Sequence, residues 1–491
     1  MTEITSKTRE IKLFIDGEYV TSSANKTFAV HNPATQDVIA IVHEATKEDV
    51  DRACLAARRA FEEGPWRTMT IKERCAKIRR MAEIIMERRE ELARLEALDV
   101  GKPFPVAYEF EIPRAAHNLQ FFADFMEQQG SETYPMEEEY LNYTRYEPVG
   151  VASLITPWNL PFMLTTWKLG PCLATGNTAV IKPAEPTPMT VSLLGEIAKA
   201  AGIPDGVVNI VQGFGPHSTG EFMTTHPEVD LISFTGETTT GKAIMKNGAD
   251  TLKRVSFELG GKAANIVFED ANLDKAIPTS IRAAFLNSGQ VCLAGSRILV
   301  QRSIFDEFVE RFKDAASKLK VGDPQDSSTN MGPLVSKEHY DKVTRYIKIA
   351  EEENSKLVFG GKRPELPDYL KHGFYLEPTI YIQENPKARI CQEEIFGPIV
   401  TLIPFDTEEE ALQIANSTEY GLNGVIWTDN LQRAHRVAHR VRAGTIWVNC
   451  WFVRDLRAPF GGFKKSGIGR EGGHHSLEFF TEAKTVCLAL S

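Results

Sequence analysis

The chain reads as an α/β protein with two parallel-sheet units and a small accessory β element. Three observations predict this. Short apolar runs alternate with helical patterns over residues 151–260, a second alternation occupies 259–460, and two strand-like segments, near residue 140 and at the C-terminus, belong to neither. Parallel neighbours need crossover connections of a dozen or more residues. The spacing supplies them, so the first alternation predicts a doubly wound sheet with a ligand crevice at the carboxyl ends of its strands.

Taken in order, an initial hairpin precedes two amphipathic stretches, Lys47–Glu62 and Ile71–Leu98, expected to pack on that sheet as helices. Val149–Ile155, Thr178–Ile181, Val207–Val211 and Leu231–Phe234 read as its strands, with a helix over Val191–Ala201. Between the turn-forming Gly130 and Pro148, Tyr140–Tyr146 alternates in character at period two, and Thr485–Leu490 forms a second apolar strand. Neither has a core of its own, so each is expected at a sheet edge or between subunits. Ala264–Phe268, Ile298–Val300, Ile399–Ile403 and Thr445–Val448 are the strands of the second unit.

With 491 residues and 42% hydrophobic content, the chain can bury two or three cores, which excludes a disordered protein. Its net charge of −10, without a run of Lys and Arg, argues against a nucleic-acid surface. The seven cysteines (54, 75, 172, 292, 391, 450 and 487) are odd in number and widely spaced, with no C-x-x-C pair, which speaks against a disulfide framework or a zinc site. The first residues lack an apolar core, and no stretch approaches the roughly 18 apolar residues of a membrane span. A soluble metabolic enzyme of the cytoplasm is expected.

Two segments carry chemistry. Asn287-Ser-Gly-Gln-Val-Cys292-Leu-Ala-Gly-Ser296 sets one cysteine among small residues, and Phe257-Glu258-Leu-Gly-Gly-Lys262 places a carboxylate thirty-four positions earlier. A thiolate can attack a carbonyl carbon, small neighbours let backbone N–H groups meet the resulting oxyanion, and a carboxylate can serve as general base. An isolated cysteine is more often buried and inert. Lys182 and Glu185 follow the strand Thr178–Ile181, where a nucleotide-binding sheet meets an adenine ribose. A carboxylate there accepts from ribose hydroxyls and repels a 2′-phosphate, so NAD is expected over NADP. The alternative is a surface ion pair. Gly213-Phe-Gly215 and Gly236–Gly241 follow predicted strands, as phosphate-approaching loops do, although spaced glycines alone are more often turns.

Both chemical segments resemble signatures of the NAD(P)-dependent aldehyde dehydrogenase superfamily. Further similar blocks run in the family's order: Thr156-Pro-Trp158-Asn159-Leu-Pro-Phe162, Ile181-Lys182-Pro-Ala-Glu185-Pro-Thr-Pro188, Phe234-Thr-Gly236, Glu393-Glu394-Ile-Phe396-Gly-Pro398 and Pro459-Phe460-Gly-Gly462. The resemblance implies a Rossmann-like NAD-binding domain (1–129 and 149–258), an α/β catalytic domain (259–460) and oligomerisation strands (130–148 and 476–491) that build a homodimer or homotetramer. It makes Cys292 the nucleophile, Glu258 the base that activates water and Asn159 an oxyanion donor, for which the alternative is an Asx turn before Pro161. Trp158, Lys182, Glu185, Gly215, Gly236, Glu394 and Phe396 fall at cofactor positions. Position 237 is Glu where many members carry a phosphate-binding Ser. Glu258 favours water over coenzyme A as acyl acceptor. Glu471 resembles a second carboxylate proposed as a proton relay, with a solvated helix start as the alternative.

Asn449–Phe460 and Glu111–Ala115 resemble the muconic semialdehyde dehydrogenases, where two arginines hold the substrate end remote from the aldehyde. The resemblance assigns this to Arg114 and Arg454, and a guanidinium suits a carboxylate by bidentate pairing. The alternative makes both arginines structural, with Asp455 as a ready partner for Arg454. Arg457 fits either role. Trp167, Phe460 and Phe452 would wall a tunnel for a planar dienoate. A dehydrogenase for simple aliphatic or aromatic aldehydes is the rival within the family, and a non-catalytic NAD-binding protein is the rival outside it.

Overall fold

The structure is a computed structural model, and it describes residues 8–490. Five parallel strands run through the first sheet in the order Arg254–Glu258, Leu231–Thr235, Val151–Ile155, Thr178–Lys182 and Val208–Ile210. Gly467–Ile468 extends one edge antiparallel, and the hairpin Leu13–Ile15/Glu18–Val20 extends the other.

These strands are near-continuous apolar runs because helices cover both faces. Ala152, Leu154, Ala179 and Ile181 point into one core, shared with residues of the helices Ile71–Glu87, Ile112–Glu127 and Pro161–Ala174. Their neighbours Val151, Ile155 and Val180 face another, with Val50, Cys54 and Ala57 of Lys47–Glu62 and Ile244 of Thr238–Gly248. Thr46 and Asp49 close a reciprocal capping box that starts Lys47–Glu62.

In the second sheet the order is Lys356–Phe359, Thr379–Ile382, Ile399–Phe405, Arg297–Gln301, Ala264–Val267, Asn423–Trp427 and Thr445–Val448, parallel except for the first strand. Helices again pack on both sides, so its strands also divide between two cores.

Some expectations change. The N-terminal region holds five strands rather than one hairpin, three of them (Arg9–Ile11, Val38–His43 and Thr27–His31) in a separate sheet. Ile71–Leu98 divides at Arg88 into Ile71–Glu87 and Arg89–Asp99. The helix expected over Val191–Ala201 is likewise two short helices, Met189–Ser192 and Leu194–Ala200. Tyr140–Pro148 and Thr481–Ala489 are not solitary edges: they pair with each other antiparallel over nine residues, from Pro148↔Thr481 to Tyr140↔Ala489. Tyr134, Tyr140, Leu141, Tyr146 and Leu488 remain exposed on this ribbon. Among the described residues no helix is long and apolar enough to cross a membrane.

Candidate active site

Strand ends deliver the site. Lys182 and Glu258 are the last residues of their strands, Thr156–Asn159 follow Val151–Ile155, and Gly236 follows Leu231–Thr235, so all meet at the carboxyl edge of the first sheet. Cys292 reaches the same place from the second unit. Its loop leaves the helix Leu273–Phe285 through Asn287 and Ser288, both in left-handed backbone (φ 50° and 56°). Side-chain bonds hold that turn: Ser288 Oγ donates to Gly332 O at 2.8 Å, and Gln290 Oε1 accepts from Val335 N at 3.0 Å. Beyond the cysteine, Trp451 Nε1 and Asn423 Nδ2 both donate to Leu293 O.

Burial pushes the Cys292 thiol up to about 12, with the Glu394 and Glu258 carboxylates adding to the rise and Arg454 opposing it. Glu258 is itself buried, and neither carboxylate oxygen has a hydrogen-bond partner. Burial first, then Glu471, holds its carboxyl well above the usual range, against the pull of Lys168, Arg454 and Arg470. A neutral thiol and a proton-hungry carboxyl thus share one desolvated site. Asn159 Nδ2 donates to Gln290 O at 2.9 Å, which leaves its second N–H free.

Glu471 is not a solvated helix start. It is buried, accepting from Lys168 Nζ at 2.7 Å and Trp167 Nε1 at 2.6 Å, and Lys168 also reaches Ser233 Oγ at 3.0 Å.

On the nucleotide side, Lys182 Nζ lies 3.6 Å from Glu185 and donates to Pro183 O at 3.1 Å. Lys182 is buried, whereas Glu185 is partly exposed, so the pair is not a surface ion pair. Gly215 lies in the loop before the helix Thr219–Thr225, and Gly236 N donates to Glu258 O at 3.0 Å just before Thr238–Gly248. Glu237 occupies the cap position of that second helix without a capping hydrogen bond, and Lys342 stands 3.8 Å from it. Glu394 Oε1 accepts from Gly261 N at 2.8 Å, and burial raises its carboxyl to about 7. The Phe396 ring meets the Trp158 ring edge-on at 5.3 Å, and Phe396 takes a left-handed backbone (φ 61°). His339 Nε2 donates to the Phe396 carbonyl at 2.7 Å.

Within electrostatic reach of the thiol lies a recess lined by Phe110, Arg114, Asn118, Met163, Leu164, Trp167, Phe452 and Arg454. Both expected arginines, Trp167 and Phe452 therefore share one wall system. Phe460 does not line it; its ring backs Arg454 instead, 3.9 Å from the guanidinium, with Trp167 at 4.6 Å. Among the described residues Arg454 has no carboxylate within ion-pairing distance, and its Nη2 is buried without a hydrogen bond. Burial, and then Arg114, bring it down to about 10. Asp455 turns away and pairs at 2.7 Å with the exposed Arg457, so Asp455 is not the partner of Arg454, and Arg457 lies at the surface. Arg114 Nε donates to Asn118 Oδ1 at 3.3 Å, and burial lowers its basicity.

Sequence reasoning missed Asn118, Lys168, His339 and Lys102. Only Asn118 had a local signal, standing four residues after Arg114 on one helix. Lys102 Nζ donates to Asn159 O at 3.0 Å from the loop between the helices Arg89–Asp99 and Phe104–Val106.

A nucleotide-type crevice that meets a partly buried thiol, a buried carboxyl and a side-chain amide is the arrangement of an oxidoreductase working through a covalent acyl-cysteine. The chain belongs to the aldehyde dehydrogenase family, whose model matches residues 19–486. It is 51% identical to the 2-hydroxymuconic semialdehyde dehydrogenase of Pseudomonas sp. (strain CF600), covering 98% of this chain and 100% of that one. It is 45% identical to the 2-aminomuconic 6-semialdehyde dehydrogenase of a Pseudomonas species, covering 98% of both chains. The NAD+ complex of an aldehyde dehydrogenase from Bacillus cereus superposes with a TM-score of 0.95 at 44% identity, covering 98% of this chain and 97% of that one.

Proposed function

We propose that the chain oxidises a muconic-type semialdehyde, 2-hydroxymuconate semialdehyde or a close analogue, to the dicarboxylate with NAD and water. The carrying observation is the pair of guanidinium groups, Arg114 and Arg454, in one recess within electrostatic reach of Cys292, with no carboxylate bound to either among the described residues. A partly desolvated cation without an ion-pairing partner is costly, and a substrate carboxylate would relieve both. The names of the relatives accord with this substrate class.

The crevice residues fit a dinucleotide: Lys182 and Glu185 would hold the adenine ribose, Gly215 and Gly236 would let the pyrophosphate approach, and Glu394, Phe396 and Trp158 would frame the nicotinamide end. Bound NAD supplies the hydride acceptor. Cys292 adds to the aldehyde carbon, and its proton must leave as it does so. The free N–H of Asn159 and the Cys292 backbone N–H meet the oxyanion; one such donor is typically worth about 3 kcal/mol. After oxidation the acyl group remains on Cys292 as a thioester, and Glu258 takes the proton of the water that hydrolyses it. Glu471 and Lys168 would carry that proton away.

Residues 1–129 and 149–258 form the nucleotide-binding unit in this reading and 259–460 the catalytic one. Residues 130–148 and 476–491, which include the ribbon Tyr140–Pro148/Thr481–Ala489, would join subunits in a dimer or tetramer. Seven cysteines, none in a disulfide, accord with the cytoplasm. A panel of acidic and neutral aldehydes, followed by NADH absorbance, tests the substrate: the acidic semialdehyde should give the highest kcat/KM, and a preference for neutral aldehydes would leave only general aldehyde oxidation.

A further inference from the structure

Beneath the oxyanion site lies a cluster of ionisable groups that the reaction does not use. Lys102 Nζ is fully buried between Glu111, to which it donates, and Glu96 at 3.2 Å, with both carboxylates almost fully buried as well. Such a cluster is weak evidence for stability, because taking three charges out of water offsets most of their attraction. Its contacts indicate another role. Lys102 Nζ also donates to the backbone carbonyl of Asn159 at 3.0 Å, and Glu96 Oε1 accepts from Phe162 N at 3.1 Å. One cluster therefore grips the Asn159–Phe162 turn at both ends.

The Asn159 carbonyl receives a second donor, Asn287 Nδ2, at 3.1 Å from the loop that leads to Cys292. Its side chain is held less firmly. Nδ2 has the single bond to Gln290 O, and Oδ1 is buried with no partner. The direction of the free N–H therefore depends on where the main chain of Asn159 is fixed.

We propose that Lys102, with Asn287, is a positioning residue for the oxyanion site: the two donors converge on the Asn159 carbonyl and keep the Asn159 amide aimed at the reacting carbonyl. Glu111 extends the device toward the substrate. It ends the π-helical turn Ala107–Glu111, which carries Phe110, and Arg114 follows on the next helix; both of these residues line the recess. The cluster thus connects the wall that receives the remote end of the substrate with the donor that receives its oxyanion.

The proposal rests on Asn159 being the oxyanion donor, and a double-mutant cycle separates the two claims. Asn159→Ala should lower kcat by roughly a hundred- to a thousandfold, and Lys102→Met by about tenfold or more, since small misplacements of a reacting group are expensive. Affinity for NAD, measured by titration, should stay unchanged in both. The double variant should be no slower than Asn159→Ala alone. Losses that multiply would overturn the proposal and assign Lys102 to stability, as would a Lys102→Met enzyme within about twofold of wild type. Full activity in Asn159→Ala would remove the oxyanion reading itself, and this proposal with it. Should Lys102→Met fail to fold, Asn287→Gly carries the same cycle, because it removes the other donor where glycine suits the backbone (φ 50°); additivity there overturns the shared-carbonyl device.

Discussion

A β-carbon at Gly261 would sit 2.6 Å from the carbonyl oxygen of Cys292. The segment that carries Glu258 and the loop that carries the thiol approach so closely only because residue 261 has no side chain. The close approach brings base and nucleophile into one desolvated region, and that desolvation raises the pKa of both.

The first consequence concerns the thiol. With its pKa pushed up to about 12, Cys292 in the cofactor-free enzyme holds a thiolate fraction that grows about tenfold per pH unit across the neutral range. Alkylation by iodoacetamide without NAD should therefore be slow at pH 7 and keep climbing through pH 9, with no plateau. A plateau below pH 8 would mean a thiolate already stabilised in the free enzyme. Cys292→Ala should abolish turnover and retain NAD binding.

Glu258 acts after oxidation in this account, so Glu258→Gln should spare the first half-reaction and stall the second. Rapid mixing should give a burst approaching one NADH per active site, and mass spectrometry of the stalled protein should find an acyl group on Cys292. No adduct would move the base elsewhere.

The raised carboxyl of Glu258 also sets a pH dependence. A group held above the ordinary carboxylate range is protonated, and useless as a base, at mildly acid pH. Thioester hydrolysis should fall as pH drops through that raised value, while the burst amplitude stays constant. An unchanged hydrolysis rate down to pH 5 would exclude Glu258 from the step.

Cofactor choice follows from Glu185 at the end of its strand. Its carboxylate should favour NAD, and Glu185→Gln should narrow the gap to NADP. Equal use of both cofactors by the unaltered enzyme would mean that Glu185 does not meet the ribose.

Much of this was legible in the sequence. The eight parallel strands read from the sequence lie within a residue or two of their positions because strands buried on both faces are uninterrupted apolar segments, whereas Arg254–Glu258, Lys356–Phe359, Thr379–Ile382 and Asn423–Trp427 went unread. Cys292, Glu258, Arg114 and Arg454 were readable from their motifs. The short N-terminal strands were not, since three-residue pieces such as Leu13–Ile15 owe their form to partners distant in sequence. For Glu471 a solvated helix start stayed open as the alternative because nothing local announces Lys168, which approaches it across 303 positions. Phe460 was assigned to the tunnel wall, and only packing reveals that Arg454 covers it.

The most direct test of the proposed substrate is the ratio of kcat/KM for an acidic semialdehyde to that for an uncharged aldehyde of similar length, in the unaltered enzyme and in Arg454→Ala. A charge-assisted hydrogen bond from a partly desolvated arginine contributes about 1.5–3 kcal/mol. The variant should therefore lose roughly ten- to a hundredfold on the acidic substrate and little on the neutral one, with Arg114→Ala showing a smaller loss of the same kind. Equal losses on both substrates, or an unaltered enzyme that prefers the neutral aldehyde, would contradict the carboxylate clamp.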